Sequence, residues 1–96
     1  MPQDRPEIER RRILYSGRVQ GVGFRATARG VAHDRAVTGW VRNEPDGRVY
    51  LEVQGAPAAI DGYLAALRSA MERNIRGTDA AALPVQPGES GFDIRY

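Results

Sequence analysis

The sequence contains no cysteine and no lysine, and His33 is its only histidine. The lack of cysteine excludes disulfides, thiolate metal sites and a cysteine nucleophile. A single histidine without cysteine does not make a metal site, so we interpret His33 as an exposed polar residue and expect no metal and no other cofactor. The lack of lysine excludes the G-x-x-x-x-G-K-[ST] loop that binds nucleoside triphosphates.

Long apolar runs are also missing. No run reaches the roughly 20 residues that span a bilayer, and residues 1–12 lack the apolar centre of a signal peptide. We therefore expect a cytoplasmic protein without a membrane partner. The net charge of +2 is too small to indicate a nucleic-acid partner. The arginines at residues 10–12 are flanked by Glu7 and Glu9, and we interpret this cluster as a solvated edge.

The length of 96 residues predicts a single domain, which we expect to be monomeric. Residues 1–10 hold two prolines and five charged side chains with almost nothing to bury. We therefore predict a disordered tail over residues 1–10 and a folded domain over residues 11–96.

A glycine-rich stretch, Gly17-Arg18-Val19-Gln20-Gly21-Val22-Gly23-Phe24-Arg25, connects a strand-like run to a helical pattern. Glycines let a loop turn tightly and let its backbone approach a ligand closely. A turn between a strand and a helix directs N–H groups toward the positive end of the helix dipole, where anions bind. The flanking arginines can each hold a phosphate through paired hydrogen bonds. Glycine spacing alone leaves open a purely structural turn with two surface arginines.

The periodicity of the chain predicts alternating strands and helices. Turn residues 44–47 join two runs into a hairpin that carries Asn43 at its tip. The stretch 73–91 is harder to interpret, and within it only residues 80–83 suggest a short strand. The predicted strands cover residues 11–17, 37–43, 48–54 and 92–96, and the predicted helices cover residues 24–35 and 57–71. This order predicts an α+β, ferredoxin-like βαββαβ sandwich, an antiparallel sheet with two helices on one face.

Two separate motifs resemble the acylphosphatase family. The first is the nine-residue stretch GRVQGVGFR, residues 17–25. The second is Gly39-Trp40-Val41-Arg42-Asn43 followed by Gly47, Val49 and Gly55. The resemblance covers about residues 11–72 and, weakly, the terminal strand. It implies hydrolysis of small acyl phosphates to a carboxylate and inorganic phosphate, with phosphate acting as product and inhibitor.

The resemblance also implies roles for particular residues. Arg25 would hold the phosphate and Asn43 would orient the attacking water. The predicted phosphate-binding residues are Arg18, Val19, Gln20, Gly21, Val22, Gly23, Phe24 and Arg25, mostly through backbone N–H groups. The sequence departs from the family pattern after the second helix, where no valine-alternating fourth strand is evident. Glu44 would repel an anionic substrate unless its carboxylate points outward.

The proposed reaction makes chemical sense for these residue types. The leaving group of an acyl phosphate is the anion of an acid with a pKa of about 4, so no general acid is needed. Phosphoryl transfer then requires mainly positioning and charge stabilisation. The alternatives are a non-catalytic ferredoxin-like module that binds phosphate or nucleic acid, with Trp40 and Tyr50 as stacking aromatics, and an acylphosphatase-like domain of a carbamoyl-phosphate-using maturation protein.

Overall fold

The structure is a computed structural model that describes residues 7–96, so the predicted tail before residue 7 lies outside the described residues. Its strands form one sheet in the order β4-β1-β3-β2-β5. The first six elements have the predicted βαββαβ order, which confirms the ferredoxin-like α+β fold. The elements in chain order are β1 (Glu9–Gly17), α1 (Phe24–Ala32), β2 (Val37–Asn43), β3 (Val49–Gly55), α2 (Pro57–Ala70), β4 (Ile75–Leu83) and β5 (Phe92–Arg95).

The fourth strand, β4, is longer than the sequence indicates. It spans nine residues and pairs antiparallel with β1, whereas the pattern predicts a strand only over residues 80–83. None of the β4 residues is fully buried, because the strand lies at the edge of the sheet. The sequence of this edge strand does not alternate between apolar and polar residues, so it gives no strand signal. The segment is a strand because its backbone pairs with β1. Pro84 follows its last residue, a position that edge strands tolerate.

The terminal strand, β5, forms as predicted but occupies an unpredicted place. It pairs parallel with β2, from Gly39 opposite Phe92 to Arg42 opposite Arg95. The sheet is therefore mixed rather than wholly antiparallel, and β5 is a fifth strand. Residues 84–91 connect β4 at one edge of the sheet to β5 at the opposite edge.

The core lies between the sheet and the two helices. The alternating apolar residues of β1 and β3 are buried, as their period-2 patterns predict, and Phe24 and Ala28 of α1 pack against them. The buried hydroxyl of Tyr63 in α2 donates a hydrogen bond to the carbonyl of Ala28 at 2.9 Å, which ties the helices together. The fully buried members include Val41, Val49, Leu51, Val53, Ile60, Tyr63 and Leu67.

Helix α1 ends at Ala32, three residues before the predicted end at residue 35. The His33 N–H bonds to the carbonyl of Gly30, and the Arg35 N–H bonds to that of Ala32. These are i→i−3 bonds that tighten and close the last turn. His33 is exposed, as predicted.

The predicted solvated edge at residues 10–12 is wrong for Arg10. Strand β1 begins at Glu9, so the tail predicted over residues 1–10 is wrong for residues 9 and 10, and Arg10 is only 2% exposed. Its guanidinium donates to Glu52 at 2.7 Å and to both carboxylate oxygens of Glu89 at 2.8 and 3.0 Å. A charge this deeply buried needs such partners, and both come from segments remote in the sequence.

Candidate active site

The first half of the glycine-rich loop, residues 18–20, is attached to three different parts of the fold. The Arg18 N–H donates to the carbonyl of Asn74 at 2.9 Å, so this N–H is already engaged. The side chain of Val19 lies in the core with 1% exposure. The side-chain amide of Gln20 donates to the carbonyls of Glu44 and Arg48. Arg18 could therefore contact a phosphate only through its exposed side chain.

The second half of the loop depends on left-handed glycines. Gly21 has φ 74° and Gly23 has φ 79°. A Cβ atom at either position would meet nothing within 4 Å, so backbone conformation and not space demands glycine. Among the described residues, the N–H groups of residues 19–23 find no hydrogen-bond acceptor. They remain available to an anion, and their binding of phosphate stays a prediction.

The start of α1 adds a positive field to these donors. Gly23 caps the helix without a side-chain hydrogen bond, and the first turn contains no acidic residue. Phe24 anchors this turn, since its side chain is buried with 2% exposure and 4.9 Å separates its ring centroid from that of Tyr15. Arg25 follows it and is half-buried. A cation beside the positive end of a helix is unfavourable unless an anion neutralises both.

Arg25 and Asn43 line the same cavity, which has a volume of ≈ 210 Å³. Larger concavities of ≈ 500 and ≈ 530 Å³ lie beside the β1–β4 edge and near the C-terminal end of α1. Neither contains a predicted site residue, so chemistry and not size identifies the site. The residues lining the smaller cavity are Val19, Gly21, Gly23, Phe24, Arg25, Ala26, Asn43, Ile94 and Tyr96.

Asn43 ends β2 immediately before a tight turn. The Glu44 N–H bonds to the carbonyl of Arg48 at 2.8 Å, and the Gly47 N–H bonds to that of Glu44 at 3.1 Å. The carboxylate of Asp46 accepts the Arg48 N–H at 3.0 Å, which confirms the predicted turn chemistry. This closed turn gives Asn43 a fixed place at the cavity.

The carboxylate of Glu44 is neutralised. It accepts a hydrogen bond from Nε of Arg42 at 2.6 Å. The pair reduces the repulsion that a free carboxylate next to Asn43 would exert on an anionic substrate.

The chain matches known proteins over most of its length. The family model described as Acylphosphatase matches residues 11–94. The acylphosphatase of Archaeoglobus fulgidus is 39% identical over 85 residues, which cover 88% of this chain and 94% of that protein. This chain belongs to the acylphosphatase family. Members of this family hydrolyse acyl phosphates.

Solved structures agree with this assignment. The crystal structure of acylphosphatase from Bacillus subtilis superposes with a TM-score of 0.80 at 29% identity, covering 94% of this chain and all of that one. Full-length HypF, in its phosphate- and nucleotide-bound form, matches with a TM-score of 0.76 at 25% identity. That match covers 98% of this chain and 13% of HypF.

Sequence reasoning missed two residues that line the cavity, Ile94 and Tyr96. Both line the cavity, and the guanidinium carbon of Arg25 lies 4.9 Å from the centroid of the Tyr96 ring. No local pattern marks them as site residues, because they reach the cavity only through the parallel pairing of β5 with β2.

The aromatic residues of the rival nucleic-acid hypothesis are covered in this acylphosphatase. Trp40 is 7% exposed and stacks on Tyr50 with 5.2 Å between ring centroids. The guanidinium carbons of Arg95 and Arg42 lie 4.4 and 5.2 Å from the Trp40 centroid. Base stacking needs a free aromatic face, so this arrangement does not favour the rival.

The described part of the acylphosphatase, residues 7–96, brings no three histidine or acidic side chains together in a way that could hold a metal ion. Within the same residues, neither helix has the length and apolarity needed to cross a membrane.

Proposed function

We propose that this acylphosphatase works by in-line attack of one water molecule on the phosphorus of a bound acyl phosphate. Arg25 and the free N–H groups of residues 19–23 hold the phosphate, and the amide of Asn43 orients the water. The observation that carries the proposal is that Arg25 and Asn43, from different elements, line one cavity beside the glycine loop.

The charges around the cavity suit this substrate. The positive end of α1 and Arg25 both lie at the cavity that would hold the phosphate, and Arg42 neutralises the nearby Glu44. Fixed donors of this kind stabilise negative charge in the transition state without reorganising. The departing carboxylate, whose acid has a pKa of about 4, needs no proton from the protein.

The same donors would bind inorganic phosphate, the product, which should therefore inhibit competitively. The smallness of the cavity and its position at the surface suit a small-molecule acyl phosphate. The absence of a nucleic-acid partner, the monomeric state and the cytoplasmic location stay predictions from the sequence.

The test compares phosphate release from acetyl phosphate with release from ethyl phosphate, a phosphate monoester whose alkoxide leaving group needs a proton. We expect efficient turnover of the acyl phosphate and almost none of the monoester, because the residues that line the cavity include no histidine and no carboxyl side chain that could protonate a poor leaving group. The same assay on Arg25→Ala should show loss of acyl phosphate turnover. Arg29→Ala is the matched control for that variant, since Arg29 is an exposed arginine one turn further along α1. Comparable turnover of both substrates would contradict the proposal.

A further inference from the structure

The side chain of Gln20 joins the phosphate loop to the turn that follows Asn43. Its Nε2 atom donates to the carbonyl of Glu44 at 2.7 Å and to the carbonyl of Arg48 at 2.9 Å. Both carbonyls also accept the hydrogen bonds that close the turn, that of Arg48 from the Glu44 N–H at 2.8 Å and that of Glu44 from the Gly47 N–H at 3.1 Å. The side-chain amide of Gln20 therefore bonds to both ends of the turn.

This link is the point where the two halves of the site meet. The phosphate-holding groups belong to the loop and to α1, whereas Asn43 belongs to the hairpin. Among the described residues, Gln20 alone makes hydrogen bonds between residues 18–23 and residues 43–48. The neighbouring anchors, the Arg18 N–H and the Val19 side chain, attach the loop to other parts of the fold.

We propose that Gln20 is a positioning residue that keeps the amide of Asn43 in register with the phosphate held by the loop. This inference rests on the proposed function of Asn43. An amide suits the position because its NH₂ group offers two donors to two carbonyl acceptors. A carboxylate would face the same carbonyls with negative charge and no donor, and an apolar side chain would leave them without this partner.

The first test is a double-mutant cycle with Gln20→Met and Asn43→Ala. Gln20→Met should lower kcat about tenfold, because small misplacements of positioning groups have effects of this size or larger. The competitive inhibition constant of inorganic phosphate should stay within about threefold, since the loop and α1 keep their donors. In the Asn43→Ala background, Gln20→Met should produce no further loss of kcat, because the two residues act through one step.

A second variant, Gln20→Glu, tests the donor requirement with almost no change of shape. At neutral pH its kcat should fall at least as far as that of Gln20→Met. Toward acid pH the ratio of its kcat to that of the wild type should recover in part, because a protonated carboxyl can donate one hydrogen bond to a carbonyl. A ratio that is independent of pH would contradict the inference.

Gln54→Met is the matched control. Gln54 also bonds to backbone, accepting the Gln86 N–H at 2.8 Å and donating to the Gln86 carbonyl at 3.0 Å, but it lies at the other end of β3. It should lower the melting temperature and leave kcat unchanged.

The inference is overturned if Gln20→Met has wild-type kcat, or if it lowers kcat by the same factor with and without Asn43. Either result leaves the proposed role of Asn43 intact. If Asn43→Ala itself kept wild-type turnover, the role of Asn43 would fail and the role of Gln20 with it. The single variants Gln20→Met and Asn43→Ala therefore distinguish a failure of the role of Gln20 from a failure of the role of Asn43.

Discussion

The guanidinium group of Arg25 lies over the ring of Tyr96, with 4.9 Å between the guanidinium carbon and the ring centroid. Arg25 is in the first turn of α1, and Tyr96 follows the last residue of β5. A guanidinium over an aromatic face is attracted by the ring quadrupole. The contact also restricts the arginine to fewer rotamers, which reduces the entropy lost when it binds a phosphate.

Tyr96→Ala should therefore weaken phosphate binding modestly. A cation–π contact at an exposed site is worth about 0.5–1 kcal/mol, which corresponds to an increase of about two- to fivefold in the inhibition constant of phosphate. Tyr96→Phe keeps the ring and should match wild type. An equal loss in both variants would assign the effect to the hydroxyl and not to the ring.

Arg25 should contribute to binding and to turnover together, because its charge faces the phosphate oxygens throughout the reaction. Arg25→Ala should lose activity and also the rise in melting temperature that we expect millimolar phosphate to give the wild type by mass action. Arg25→Lys should recover little of either, since an ammonium cannot form two parallel hydrogen bonds. The measurements are kcat/KM and melting curves with phosphate and with chloride at equal ionic strength. Substantial activity in Arg25→Lys would argue against the two-pronged contact.

Asn43 should contribute to turnover alone, because it is proposed to contact the water and not the phosphate. Asn43→Ala should lower kcat by about 10²-fold, the scale of losing one positioned polar group. The dissociation constant of phosphate, measured by calorimetry, should be nearly unchanged. Weaker phosphate binding with an unchanged kcat would reverse the assignment.

Glu89 should stabilise the fold in a pH-dependent way. Burial of its carboxyl opposes ionisation, but hydrogen bonds from Arg10 and Thr38 outweigh burial and hold its pKa below the ordinary value of 4.5. A lowered folded-state pKa means that the stabilisation is complete above pH 4.5 and disappears as the pH falls through that lower pKa.

The variant Glu89→Gln should therefore lower the free energy of unfolding by about 1–3 kcal/mol at neutral pH. The difference from wild type should shrink as the pH falls below 4.5, where the carboxyl of the wild type is also neutralised. Denaturant unfolding at several pH values measures this, with Glu72→Gln as the exposed control. A difference that does not change with pH would rule out the Arg10–Glu89 pair as its source.

Much of the site could be predicted from the sequence because its elements are local. The left-handed Gly21 and Gly23, the turn that ends in Gly47 and the alternating β3 residues each follow from neighbouring residues. Two residues of the cavity, Arg25 and Asn43, could be predicted. The prediction that they act at one site came from the family resemblance, because local sequence patterns do not show that the two residues lie close together.

The sequence by itself determined the glycine-rich loop, the hairpin that carries Asn43 and the two amphipathic helices, because their signals lie within a few residues of one another. Only the tertiary structure decided that β4 is a full edge strand, that β5 lies parallel to β2, that Arg10 is buried with Glu89, and that Tyr96 covers Arg25. Each of these depends on pairing between segments far apart in the chain, where exposed edges, crossovers and buried ion pairs leave no periodic pattern of their own.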